Sequence, residues 1–397
     1  MELSRQVMSI QPSPTLAVSA KAAELRAQGV DVISFGGGEP DFDTPQHICQ
    51  AAVQAIQEGF TRYTAADGIP ELKQAVVDKF KRDNGLDYTL DQVMINVGAK
   101  HSGYLVLQAL LNPGDQVIVP APYWVSYPSM VILAGGEPVI VSTRQADGFK
   151  LKPGQLQQAI TERTRALILN SPNNPIGCVY SRQELKELAE ICVRRGVLII
   201  SDEIYETCVF DGERHVATAS LSPEIYEHTV TINGVSKAYA MTGWRIGYMA
   251  GPKELVRACA KIQSQSTSNP CSIAQKAALA ALTGPQDQVA EMTASYQKRR
   301  DYIVGRLTKL PGVSCNLPKG AFYAFPDMSA YYGKKAGERL IQGSVDLSAY
   351  LLEEAHVATV PGAAFGEDRC VRFSFVTAPD LIEKGMDRLE KALAALK

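Results

Sequence analysis

The chain has eight cysteines but no Cys-x-x-Cys pair, and its five histidines (His47, His101, His215, His228, His356) never fall at a metal-ligand spacing. A structural zinc site and a disulfide framework are therefore not expected. No apolar run approaches the ~20 residues that a membrane span requires. No N-terminal segment combines a basic start, an apolar stretch and a small-residue cleavage site. Charge of one sign is also missing: 40 Lys and Arg against 42 Asp and Glu leave a formal net charge of -2, which argues against a basic surface for nucleic acid. No internal repeat or low-complexity segment is present. These absences lead us to expect a cytoplasmic enzyme that uses neither metal, membrane nor nucleic acid. Cys178, Cys208 and Cys271 lie near segments of interest below and read as buried or bystander thiols.

What is present is an ordinary globular composition, 46% hydrophobic and 21% charged. A length of 397 residues suits one large domain and a smaller one. Between Val93 and Met249 short apolar strands alternate with amphipathic helices. The strand candidates are Val93–Val97, Gln116–Val119, Pro138–Val141, Ala166–Asn170, Val197–Ser201, Thr229–Ile232 and Ile246–Ala250. In the helical run Ser181–Arg195, Leu185, Leu188, Ala189 and Cys192 recur on one face. This pattern predicts an α/β fold with a mostly parallel, helix-covered sheet. Ligands of such sheets sit beyond the carboxyl ends of the strands.

A helix-rich stretch follows, ending in one long helix over Pro285–Leu310. The tail then changes character, with strands at Ala321–Phe325, Val357–Val360 and Val371–Phe375 and helices at Ser344–Glu354 and Pro379–Leu396. We expect an N-terminal arm and part of the small domain over residues 1–45, a large domain over 46–290, and a small α+β domain over 291–397.

The chemistry gathers at predicted strand ends. Lys237 leaves the strand Thr229–Ile232 through Asn233-Gly234-Val235-Ser236, and Arg245 follows on a second turn. An amine beside a fixed guanidinium suits an enzyme that holds a phosphorylated aldehyde as a Schiff base. The arginine binds phosphate and disfavours the ammonium, which exposes the nucleophilic amine. Two surface cations near a turn is the alternative. Asp202 ends the run Val197–Ser201, where a carboxylate can keep a heteroaromatic nitrogen protonated, as in pyridoxal phosphate sites; it reads equally as a turn or helix-cap aspartate. Tyr205, three residues on, either approaches the cofactor's phenolic oxygen or packs.

Asn174 lies in the stiff turn Ser171-Pro172-Asn173-Asn174-Pro175-Ile176-Gly177, where its amide can be aimed with little entropic loss. Gly98-Ala99-Lys100 joins a strand to a helix whose N-terminus can receive a phosphate. Trp124 either stacks on a flat ring or fills core. Arg372 sits between Val371 and Phe373 with Ser374 on its own face. It suits bidentate capture of a carboxylate, or else belongs to a solvated face.

Taken together, and with Gln11–Thr15, Gly38-Glu39-Pro40-Asp41-Phe42 and Arg62-Tyr63-Thr64, these segments resemble the class I pyridoxal-phosphate aminotransferases of fold type I. Within that family the chain is most similar to the prokaryotic-type aspartate aminotransferases. The resemblance runs over essentially the whole chain. It implies pyridoxal 5'-phosphate as cofactor, bound as a Schiff base to Lys237, which then shuttles a proton. Asp202 would pair with the pyridine nitrogen, and Tyr205 and Asn174 would bond the phenolic oxygen. Arg245, Ser236, Gly98, Ala99 and Lys100 would surround the phosphate, and Trp124 would stack on the ring. Arg372 would grip the substrate α-carboxylate with Asn174 and the Gly38 backbone nearby. Tyr63 would reach the phosphate of a neighbouring subunit, which makes a homodimer with shared sites the catalytic unit.

Two residues depart from the family pattern: Ile176 and Cys271 each replace a threonine. Neither position carries a catalytic role, so both bear on fine substrate fit.

The implied reaction is aspartate:2-oxoglutarate transamination by a ping-pong cycle. The nearest alternatives change the acceptor to prephenate, an aromatic or another 2-oxo acid. A β-eliminating lyase on the same fold is further off. A cofactor-sensing regulator would need a DNA-binding domain, for which the match leaves no residues. For a dicarboxylic substrate Lys100 is the candidate second cation beside Arg372; its alternative is to neutralise phosphate alone.

Overall fold

The computed structural model describes residues Met1–Lys397. After a two-residue strand β1 (Ile33–Ser34), the chain builds a seven-stranded sheet. Its strands are β2 (Val93–Asn96), β3 (Gln116–Ala121), β4 (Glu137–Ser142), β5 (Thr164–Asn170), β6 (Leu198–Asp202), β7 (Thr229–Gly234) and β8 (Gly247–Ala250). The spatial order is β2-β8-β7-β6-β5-β3-β4. Only β8 runs antiparallel to its neighbours. All seven expected strands are found, with small shifts at their ends.

Alternation along these strands divides the apolar side chains between the two faces. Val117, Val119, Ala166, Ile168 and Ile200 join one buried cluster. Ile118, Leu167, Leu169 and Ile199 join another. Both faces are covered, which is why these strands read as near-continuous apolar runs. The covering helix Arg182–Arg194 begins at a capping box, Ser181 with Glu184, and buries Leu185, Leu188, Ala189 and Cys192. Register places Asn170 beside Asp202 and Asp202 beside Ile232. The carboxyl ends of β5, β6 and β7 therefore stand level, and the site opens there.

The helix Asp287–Leu307 carries the chain to its C-terminal part. There β9 (Tyr323–Ala324) is followed by a hairpin, β10 (Lys335–Ala336) with β11 (Arg339–Leu340), then β12 (Val357–Ala358), β13 (Val360–Pro361) and β14 (Val371–Ser374). The expected single strand Val357–Val360 is divided. Val357 and Ala358 pair in parallel with β1, whereas Val360 pairs antiparallel with Arg372 of β14. Thr359 lies between two sheets, a change of partner that local sequence does not encode. The strand expected over Ala321–Phe325 shortens to β9 because Ala321 has φ 55°, outside the extended region. A cluster of 34 buried residues unites Ile33 and Phe35 with this C-terminal part.

Candidate active site

A cavity of about 580 Å³ opens beyond β5, β6 and β7. Of the residues singled out in the sequence, Gly38, Ala99, Lys100, Trp124 and Asn174 line it, as do Asp202, Tyr205, Ser236, Lys237, Arg245 and Arg372. Gly98 lies one residue behind the lining. Tyr63 does not line the cavity and is 90% exposed. Ile176 is buried in the core and Cys271 is exposed; neither reaches the cavity.

One end of the cavity is built for an anion. The helix Ala99–Leu110 starts after Gly98, whose φ of 82° and extended ψ favour glycine. A Cβ at Gly98 would lie 2.3 Å from an Arg245 guanidinium nitrogen, so the bare backbone is what lets the arginine lie across the helix N-terminus. Arg245 itself has φ 57° and donates from Nη1 to the Thr242 carbonyl at 2.8 Å. Its charge stays open to the cavity.

Asp202 contributes an acid at the end of β6. Its Oδ2 accepts from the Tyr127 hydroxyl at 2.6 Å and its Oδ1 from the Ile204 amide at 3.2 Å. Burial raises its pKa to about 6; the Tyr127 bond, the Ile204 amide and the Lys237 charge pull the other way. The local bond to Ile204 satisfies the turn alternative, but the carboxylate also faces the cavity.

The Lys237 amine donates to the Gly38 carbonyl at 2.5 Å. Its pKa falls to about 8, chiefly because it is withdrawn from bulk water, with Arg245 and Arg372 adding repulsion and Glu39 opposing. The surface-cation alternative is excluded for Lys237. Tyr205 is buried and its hydroxyl meets that of Tyr323 at 2.9 Å.

Arg372 is 2% exposed, so the solvated-face alternative also falls. It donates to Asn174 Oδ1 at 3.1 Å and to the Gly36 carbonyl at 2.7 Å. Its guanidinium lies 4.5 Å from the Tyr323 ring centroid and 5.0 Å from that of Phe365. Its Nε has no partner, and no carboxylate of the chain pairs with it. A buried cation without a counter-charge is costly, and it opens onto a cavity: this is a receptor for an anionic group. Lys100 is exposed at the mouth, its ammonium 4.9 Å from the Trp124 ring centroid. Partial burial and the Arg245 charge lower its pKa. The cavity thus offers two cations without a carboxylate partner, Arg372 and Lys100, an anion cradle, an amine held only by a carbonyl, and a buried acid. These groups fit pyridoxal phosphate: the cradle would take its phosphate and Asp202 would face its ring nitrogen.

Several lining residues carried no functional reading in the sequence. Tyr323 lies within an expected strand, Tyr127 stands three residues beyond Trp124, and Glu39, next to Gly38, accepts from Thr242 at 2.9 Å. Only their nearness to Trp124, Gly38 and the strand Ala321–Phe325 marked them. The fold also gathers Glu203, Glu206 and His215, whose potential ligand atoms lie within 4.8 Å of one another despite their uninformative spacing along the chain. Lys79 pairs with Glu206 there, and Asn84 donates to Glu206 at 3.0 Å. Glu203 takes bonds from Ser201 and the Thr218 amide and faces His215 at 2.9 Å. The cluster is a buried ion network in which Lys79 offsets the charge of Glu206, and His215, whose pKa is raised by the two carboxylates against the cost of burial, faces Glu203. It ties down the far side of the turn that carries Asp202 and Tyr205.

Comparison with known proteins places this geometry among relatives. The family profile described as aminotransferase class I and II matches residues 30–389. The chain is 51% identical over 395 residues to an aspartate aminotransferase of Geobacillus stearothermophilus, covering 100% of each chain. It is 53% identical over 396 residues to an aspartate/prephenate aminotransferase of Cereibacter sphaeroides, covering 99% of each. The solved aspartate aminotransferase from Rhizobium meliloti superposes with TM-score 0.96 at 46% identity over 100% of both chains.

Proposed function

The chain belongs to the class I and II aminotransferases, and from that membership and the charges of its cavity we propose that it transfers the amino group of aspartate to 2-oxoglutarate. The observation that carries this reading is Arg372, a buried guanidinium with no internal counter-ion, in a cavity that a second cation, the exposed Lys100, also lines. A dicarboxylic amino acid supplies one carboxylate to each.

Pyridoxal 5'-phosphate, the cofactor of this family, supplies when bound a carbonyl for amine exchange and a ring that accepts the electron pair released at the substrate Cα. Arg245, Ser236 and the N-terminus of the helix Ala99–Leu110 hold its phosphate. Asp202 would keep its ring nitrogen protonated, Tyr205 and Asn174 would bond its phenolic oxygen, and Trp124 would cover a ring face. Arg372 takes the α-carboxylate, with the Gly38 backbone beside it, and so fixes the Cα–H relative to Lys237. The Lys237 amine, already biased toward its neutral form, removes the Cα proton and returns it on the other side of the exchange.

The homodimer is part of this reading. Tyr63 stands fully out of its own cavity, and Val53 and Ile56 are exposed apolar residues of the preceding helix; in the assembly the partner subunit's Tyr63 reaches the phosphate. No helix is long and apolar enough to cross a membrane. The eight unpaired cysteines suit a reducing compartment, which supports a cytoplasmic location.

Prephenate is the second acceptor to consider, because a 53% identical relative carries it in its name. A screen of aspartate, glutamate, alanine and phenylalanine against 2-oxoglutarate, prephenate and phenylpyruvate tests the reading. Highest kcat/KM for aspartate with 2-oxoglutarate is expected. Turnover that needs no 2-oxo acid and releases ammonia would instead establish a lyase.

A further inference from the structure

Tyr127 is engaged at once with Asp202 and with Trp124. It is 5% exposed and sits at the second position of the helix Ser126–Leu133. Its hydroxyl donates to Asp202 Oδ2 at 2.6 Å, 75 residues away in the chain. Its ring meets the Trp124 ring edge-on, with centroids 5.2 Å apart and planes at 83°. Its backbone N–H donates to the Trp124 carbonyl at 3.0 Å. Both halves of the side chain thus have a partner, one the acid and the other the aromatic cover of the cavity.

We propose that Tyr127 is a positioning residue for transamination, aiming the Asp202 carboxylate and the Trp124 ring together at the cofactor. The proposal rests on the reading that Asp202 meets the ring nitrogen. The phenol can only donate to the carboxylate. With the Ile204 amide on the other oxygen, each Asp202 oxygen is held by one donor and the plane of the carboxylate is fixed without its charge being cancelled. Burial and the adjacent Asp202 charge raise the Tyr127 pKa, so it remains a donor at neutral pH. The other titratable groups that face Asp202 are Lys237 from the turn after β7, and Glu203 and Tyr205 from its own segment. None of these three bonds the carboxylate; Tyr127 does.

The test uses the full-length holoenzyme as Tyr127→Phe, Asp202→Asn and the double variant. Tyr127→Phe keeps the ring against Trp124 and removes the donor. It should lower kcat/KM for aspartate about ten- to a hundred-fold and move the acid limb of the pH profile upward by about one pH unit. Added to Asp202→Asn, the same change should cost less than about three-fold, because the charged acceptor and its titration are gone and only a weaker amide acceptor remains. In the full chain stripped of cofactor, infrared titration of the Asp202 carboxyl should show its midpoint raised by Tyr127→Phe. If Tyr127→Phe does not fold, trifluorotyrosine at position 127, a stronger donor of nearly the same shape, should lower that midpoint instead. A lower melting temperature with the acid limb and carboxyl midpoint unmoved would make Tyr127 simple core packing. So would an equal loss when Tyr127→Phe is added to Asp202→Asn. Full activity of Asp202→Asn alone would sink the placement of Asp202, and the proposal with it.

Discussion

Lys100→Ala separates recognition of the distal carboxylate from general care of the cofactor. The ammonium stands at the mouth of the cavity, exposed and above Trp124. A charge-assisted hydrogen bond from it is worth ~1.5–3 kcal/mol, which spans roughly ten- to a hundred-and-fifty-fold in kcat/KM. Exposure and salt screening favour the lower part of that range, so about ten- to a hundred-fold is expected for aspartate and glutamate. Truncation also removes the cation from the Trp124 face. That contact is worth ~0.5–1 kcal/mol at an exposed site, or about two- to five-fold, and it falls on every substrate alike. The informative quantity is therefore the ratio of kcat/KM for aspartate to that for alanine. It should drop at least about five-fold in the variant, and the drop should shrink as ionic strength rises. An unchanged ratio, with both substrates or cofactor affinity equally damaged, would make Lys100 a phosphate residue and remove the main local support for a dicarboxylic substrate.

Arg372→Lys should behave differently, because the forked guanidinium holds Asn174 and the Gly36 carbonyl and, in the proposed reading, would hold the substrate α-carboxylate as well. Its kcat/KM should fall by about a hundred-fold or more for aspartate and alanine alike; a selective loss for aspartate would exchange the two cations. In the cofactor-free chain, Lys237 should react with amine-directed reagents with a midpoint near pH 8, against 10.5 for an ordinary lysine. Below pH 8 it is charged in the folded and the unfolded chain, and folding bears its full burial cost. Between about 8 and 10.5 the unfolded chain binds the extra proton, so its contribution to stability rises with pH across that window; a midpoint at 10.5 would remove the argument for a primed amine. Mixing Lys237→Ala with Tyr63→Phe subunits should restore activity after subunit exchange, since one of the two mixed sites carries neither lesion; activity that follows the parental mixture would count against shared sites.

The inner strands were legible because their apolar runs are buried on both faces, and Ile199 or Leu167 can be assigned from residues within a few positions; the edge strand β4, with no fully buried residue, was marked by its β-branched Val139-Ile140-Val141 alone. Lys237, Asp202 and Arg372 were legible because charged groups at the ends of such runs, or alone within one, have few structural uses. What could not be read is whatever depends on distant partners. The hydroxyl of Tyr127 is satisfied by Asp202, and that of Tyr205 by Tyr323, 118 residues on. The Glu203–His215 and Glu206–Lys79 pairs look in sequence like solvated charges, because spacing along the chain says nothing of burial. The break at Thr359 was hidden for the same reason: two neighbouring dipeptides of equal strand character find their partners in β1, at the other end of the chain, and in β14.

That break bears on where the polypeptide tolerates being cut. β1 is the parallel partner of β12, the Phe35 carbonyl accepts from the Ser374 amide, and the Gly36 carbonyl accepts from Arg372. The stretch from Ile33 to Gly38 is thus stitched into the far end of the molecule from both sides. A truncation that reaches Gly36 would strip a buried guanidinium of an acceptor and leave an unpaired edge on β12. Met1–Ser9, exposed throughout and contributing nothing to the cavity lining, is the place for a tag or a shortened terminus. The boundary between expendable and indispensable chain falls between Ser9 and Thr15, because Thr15, Leu16 and Ser19 line the cavity.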